Sequence, residues 1–175
     1  MSTPNETPNR TSLVLRPFEP ADRDAVGRLI LSIQREEFGV PITLEDQPDL
    51  AEIPTFYQRG SGGFWVACDG GRIVGTVALI DIGGRECALR KMFVDPAYRG
   101  KEAGVALGLM KAAFDHARAH GVEAIYLGTT DAFKAAHRFY EKHGWTELPK
   151  AALPDRFPAM RLDTKFYRRG MAPFA

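Results

Sequence analysis

The run FWVACDGGRIVGTVALIDIGGRECALRKMFVD, residues 64–95, holds three β-rich segments separated by Asp69-Gly70-Gly71 and by Gly83-Gly84. Turns this short, closed by glycines that accept positive φ, force each segment to pair antiparallel with the next. A three-stranded antiparallel meander is therefore expected here, and the rest of the chain must pack around it. Upstream, SLVLRPF (12–18) reads as a short strand. The helix that follows places Val26, Leu29, Ile30 and Ile33 on one face. Residues 39–63 carry prolines and acidic side chains, with one short helix expected around 50–58, and are placed as one wall of a substrate site. Downstream, residues 102–120 read as helix, 122–129 as strand, 131–143 as helix and GWTEL as the start of another strand. MRLDTKFY (160–167) is expected to close the fold as an edge strand. This order gives an α/β sandwich with a mixed sheet.

A chain of 175 residues is sized for one domain, expected over 12–170. MSTPNETPNRT (1–11) is polar, lacks the apolar stretch of a signal peptide and reads as a disordered tail. The 23 basic side chains balance 22 acidic ones, so no bulk field favours nucleic acid or a membrane surface, and any anion site must be local. No apolar run approaches the ~18 residues that a membrane span requires. Cys68 and Cys87 belong to no C-x-x-C pair, which fits a reduced, cytoplasmic chain.

Two short elements could carry chemistry. YRGKEAG (98–104) joins a strand to a helix. Arg99 and Lys101 supply charge, Gly100 and Gly104 allow close backbone approach, and the amides of a helix start attract anions. Taken alone, the turn reads more readily as a plain connection. In FKAAHRFYEKHGW (133–145), Phe133, Ala136 and Tyr140 share a helix face, which by itself describes a core tyrosine.

Together, ALRKMFVDPAYRGKEAGVALGLMKAAFDHARAHGVEAIYLGTTDAFKAAHRFYEKHGW, about a third of the chain, resembles the GNAT superfamily of acetyl-CoA-dependent N-acetyltransferases. The likeness lies in the strand ending MFVDP, the arginine-led turn, the helix and strand after it, and A-x-x-F-Y-E-K-x-G-W. It implies an α/β fold with a mixed, mostly antiparallel sheet of about seven strands flanked by helices, splayed between the fourth strand, ending at Val94, and the fifth. Acetyl-CoA would enter the splay as cosubstrate, its pantetheine bonded to the backbone of Met92, Phe93 and Val94. Its pyrophosphate would lie on the amides of Arg99, Gly100, Lys101, Glu102, Ala103 and Gly104. Glu102 stands where the family's turn pattern has its first glycine, and Phe133 where many members have an asparagine near the cofactor.

The implied reaction is attack by a neutral amine on the thioester, with Tyr140 as the family's general acid for the leaving thiolate. A proton acceptor for the amine is also required, because an alkylammonium of pKa ~10.4 is only about 0.1% neutral near pH 7.4. Glu37 and Glu86 are the candidates, and both read more simply as surface carboxylates. The acceptor is expected to be a small-molecule or amino-acid amine, with a peptide N-terminus or lysine as the alternative. A non-catalytic acyl-CoA-binding module is the reading from another class, and a homodimer is compatible with either. No metal, nucleic-acid or membrane partner is expected. His116 and His120 have zinc-helix spacing, but Ala117 takes the place of a catalytic glutamate.

Overall fold

The computed structural model describes residues 13–100 and 104–174. The expected tail lies outside these residues, as do Lys101, Glu102 and Ala103 of the glycine turn. Strand β1 (Leu13–Pro17) leads into α1 (Arg23–Ser32), which widens into a π turn over Ile33–Glu37. The expected helix around 50–58 is two shorter pieces, a 3-10 turn at Pro48–Ala51 and α2 at Ile53–Phe56. The meander follows as β2 (Gly63–Asp69), β3 (Arg72–Gly83) and β4 (Glu86–Val94). Then come α3 (Val105–Ala119), β5 (Ala124–Thr129), α4 (Lys134–Lys142), β6 (Thr146–Leu148) and β7 (Lys165–Gly170).

Among the described residues the strands form one seven-stranded sheet in the order β1-β2-β3-β4-β5-β7-β6, and only β4 and β5 pair in parallel. The expected mixed, mostly antiparallel sheet flanked by helices is therefore present. One expectation is corrected. Residues 160–167 are not an edge strand: the strand begins at Lys165 and lies between β5 and β6, so β6 forms the edge. The apparent run merged a loop with a strand, because Asp163 accepts the Met160 N–H at 2.8 Å and turns the chain before β7 begins.

Alternation along β2 divides the core between the two faces of the sheet. Phe64, Val66 and Cys68 pack with Val26 and Ile30 of α1 and Tyr57, whereas Trp65 and Ala67 pack with Leu109, Ala113 and Phe114 of α3. Tyr140 and Trp145 extend the second cluster beneath β5 and β7. Cys68 and Cys87 are buried free thiols. Among the described residues no helix is long and apolar enough to cross a membrane.

Candidate active site

Strands β4 and β5 pair over only three positions, Glu86↔Ala124, Cys87↔Ile125 and Ala88↔Tyr126. Beyond Ala88 they part, which is the splay that the resemblance implied. A cavity of about 600 Å³ opens there. Leu89 to Phe93 line one wall and Leu127 to Thr130 the other, with Tyr140 and Phe133 between them. The 39–63 stretch supplies Val40, Pro41, Ile42, Asp46 and Gln47, and the loop before β7 supplies Phe157 and residues 160–163.

The β4 wall is not regular. Thr76 pairs with Phe93 and Ala78 with Arg90, so Lys91 and Met92 together face Val77, an inserted residue that forms a bulge. Lys91 takes φ 54°, a left-handed conformation that side chains rarely adopt. Its carbonyl accepts the buried Thr76 Oγ1 hydroxyl at 2.7 Å. No peptide bond here is cis. The C=O and N–H of the 91–92 peptide therefore point in opposite directions, and the Met92 N–H turns away from Thr76.

Tyr140 is 6% exposed and packs against Trp145 and Tyr167, with ring centroids 5.8 Å away in each case. Burial, with a smaller contribution from Tyr167, pushes its phenol pKa well above the ordinary tyrosine value, so the group is protonated at neutral pH. Phe133 lies against Phe38 with centroids 4.1 Å apart, giving this part of the cavity an apolar wall.

At the turn, Gly100 (φ 104°) and Gly104 (φ 63°) both have positive φ, which explains glycine at each position. The helix begins at Val105 with Gly104 as its N-cap, later than the expected start at 102. Arg99 Nε donates to the Val94 carbonyl at 2.9 Å. Its two terminal nitrogens form a bidentate pair with the Glu37 carboxylate, one bond at 2.6 Å. Glu37 is thus committed to Arg99, Glu86 pairs with Arg156 at 3.0 Å, and neither lines the cavity. His116 bonds the Gly62 carbonyl at 3.0 Å and stacks on His120 at 4.1 Å.

Two polar features of the cavity were missed in the sequence. The first is the Lys91 ammonium, buried and bonded to Gln47 Oε1 at 2.7 Å, with Asp49 at 3.5 Å. Gln47 and Gln34 exchange amide hydrogen bonds at 3.0 and 3.1 Å, and Asp49 also accepts the Tyr57 hydroxyl. Burial lowers the pKa of Lys91 against the opposing pull of Asp49. Its signal was the basic pair Arg90-Lys91 inside an otherwise apolar strand. The second is Asp163, half-buried on the loop before β7, which no local pattern marked.

Comparison with known proteins agrees with this geometry. A family model described as the acetyltransferase (GNAT) family matches residues 28–145. The Escherichia coli protein "Uncharacterized N-acetyltransferase YjgM" is 33% identical over 147 residues, which is 80% of this chain and 86% of that protein. The N-acetylaspartate synthetase of Danio rerio is 38% identical over 105 residues, covering 57% of this chain but only 36% of its own length. A solved GNAT acetyltransferase from Staphylococcus aureus superposes with TM-score 0.86 at 34% identity, over 91% of this chain and 99% of that one.

Proposed function

Because the chain belongs to the acetyltransferase (GNAT) family and is an acyltransferase of that type, we propose that it moves the acetyl group of acetyl-CoA to the amine of a small molecule or amino acid. The observation that carries this reading is the parting of β4 from β5, with Tyr140 lining the gap. The gap has the volume and the exposed backbone edge that a pantetheine arm needs, and the helix start after Gly104 offers amides to a pyrophosphate.

In this reading Met92, Phe93 and Val94 bond the pantetheine as an added strand would. Backbone N–H groups of the bulge, fixed before substrate arrives, meet the oxyanion of the tetrahedral intermediate. Tyr140 then protonates the departing thiolate. The likeness to an N-acetylaspartate synthetase over 57% of the chain supports an amino-acid acceptor. So does Arg161 on the cavity wall, a cation that can pair with a carboxylate.

Calorimetric titration with CoA and acetyl-CoA tests the first half, with one site per chain expected. A panel of amines with acetyl-CoA, read by free thiol, tests the second. No binding at millimolar ligand would overturn the proposal, and binding without thiol release from any amine would favour the non-catalytic module.

The Arg99–Glu37 pair gives a smaller prediction. Glu37 places a carboxylate beside the cation proposed for the pyrophosphate and competes for it. Glu37→Gln is expected to tighten CoA binding by about 3- to 10-fold at low salt and by less at high salt, where exposed charges are screened. Weaker binding in the variant would mean that Glu37 instead holds Arg99 in its binding position.

A further inference from the structure

We infer that Asp163 is the carboxylate that takes the proton from the acceptor's ammonium group, an assignment that rests on the acetyl transfer proposed above. Among the described residues, two carboxylates line the cavity, Asp46 and Asp163. Asp46 is occupied by Thr43, whose N–H and hydroxyl both bond its Oδ2 at 3.0 Å. Those bonds hold its pKa below the ordinary aspartate value and make it the weaker base. Asp163 Oδ2 accepts one N–H, from Met160, and its Oδ1 has no hydrogen-bond partner among the described residues.

Its placement is built into β5. Asp163 folds over Gly128, at the point where β5 has left β4, and a Cβ added to Gly128 would overlap the carboxylate. Glycine here therefore lets the carboxylate reach the wall opposite the β4 bulge, in the cavity that Tyr140 also lines. Burial raises the pKa of Asp163, with the Met160 N–H, Arg90 of β4 and Lys150 beyond β6 acting in the opposite direction. Lys91, Arg161, Asp46 and Tyr140 share the cavity with it. A carboxylate with a raised pKa is the better proton acceptor, provided that it stays ionised at working pH.

The steps balance. Asp163 takes one proton from the ammonium, and the neutral nitrogen attacks the thioester carbon, forming the C–N bond as the carbonyl electrons move to oxygen. Collapse of the oxyanion breaks the C–S bond, and Tyr140 gives its proton to the thiolate. The second nitrogen proton restores the phenol, and Asp163 releases its proton to water, so one proton is liberated per amide formed.

The test uses the full chain with acetyl-CoA and a panel of the proteinogenic amino acids, ethanolamine and 2-phenylethylamine, read by free thiol from about pH 6 to about pH 9.5. With the best acceptor, Asp163→Asn is expected to lower kcat/KM by about 10²- to 10³-fold near neutral pH, because the reaction must then wait for the rare neutral amine. The deficit should shrink by about tenfold per pH unit toward the amine's pKa, with CoA affinity by calorimetry unchanged. Gly128→Ala, which keeps the carboxylate but displaces it, should show the same alkaline recovery and carries the test should Asp163→Asn fail to bind CoA. A deficit that does not vary with pH, or a wild-type rate in Asp163→Asn, overturns the assignment alone. A wild-type protein that binds acetyl-CoA but acetylates no amine overturns the transfer reading, and the assignment with it.

Discussion

Tyr140→Phe is expected to lower kcat by about 10²-fold or more while acetyl-CoA affinity changes little, because a proton donated only as the C–S bond breaks contributes to the transition state and not to binding. The substitution removes one oxygen from a ring held between Trp145 and Tyr167, so packing is preserved. The hydroxyl makes no hydrogen bond to another described residue, and no buried partner is stranded by its loss. Stability should therefore change far less than rate. Thiol-release kinetics with calorimetry on the same preparation separate the two effects. A variant with wild-type kcat would return Tyr140 to simple core packing. The raised pKa of the phenol also fixes a pH direction. The acid form persists well above neutral pH, so Tyr140 should not impose an alkaline limb on kcat in the range where the amine becomes neutral.

What the sequence could show depended on how far apart the interacting residues lie. The meander was legible because its turns are local: Gly70-Gly71 and Gly83-Gly84 fix the pairing of β2, β3 and β4 with no distant information. The same holds for the apolar face of the first helix, where Val26, Ile30 and, in the π turn, Ile33 are buried as spaced and Leu29 is half-buried. The parting of β4 from β5 could not be derived this way. It depends on pairing between strands separated by α3, and only the resemblance to a family anticipated it.

Side-chain partners followed the same rule. Arg99 was visible as a cation in a glycine turn, but its partner Glu37 lies 62 positions away. Lys91 was missed although it sits as a charge within a largely apolar strand, because its bond to Gln47 spans 44 positions. Asp163 was hidden more thoroughly. The run 160–167 looked like one strand, and nothing in the local spacing separates the loop that carries Asp163 from the strand that begins at Lys165. Glu86 and Glu37 lie at the ends of recognisable elements, and the structure commits both to arginines.

The second large effect is expected at Thr76, which touches no proposed substrate atom and acts through the bulge. Lys91 holds φ 54°, a conformation that costs a non-glycine residue about 1–3 kcal/mol and persists only where the surroundings enforce it. The enforcing contact is the 2.7 Å bond from the fully buried Thr76 hydroxyl to the Lys91 carbonyl. Thr76→Val keeps the shape of the side chain and removes that donor, so a buried carbonyl loses its partner at a cost of about 1–3 kcal/mol. For a chain of this length, thermal unfolding should shift downward by roughly 2–12 °C. The larger consequence is for rate. With the carbonyl released, Lys91 can relax toward ordinary strand geometry, and the rigid peptide then swings the Met92 N–H with it. Donors that must meet an oxyanion lose effect steeply with displacement, so kcat should fall by about 10-fold to 10²-fold, with a smaller change in KM. Thr76→Ser, which keeps the hydroxyl and deletes a methyl, should retain kcat within a few-fold despite some loss of stability. That pair of variants separates bulge geometry from packing. A Thr76→Val protein that melts earlier yet turns over at the wild-type rate would show that the bulge holds its shape without the Thr76 bond, and that the Lys91 conformation is set instead by its ammonium's bond to Gln47.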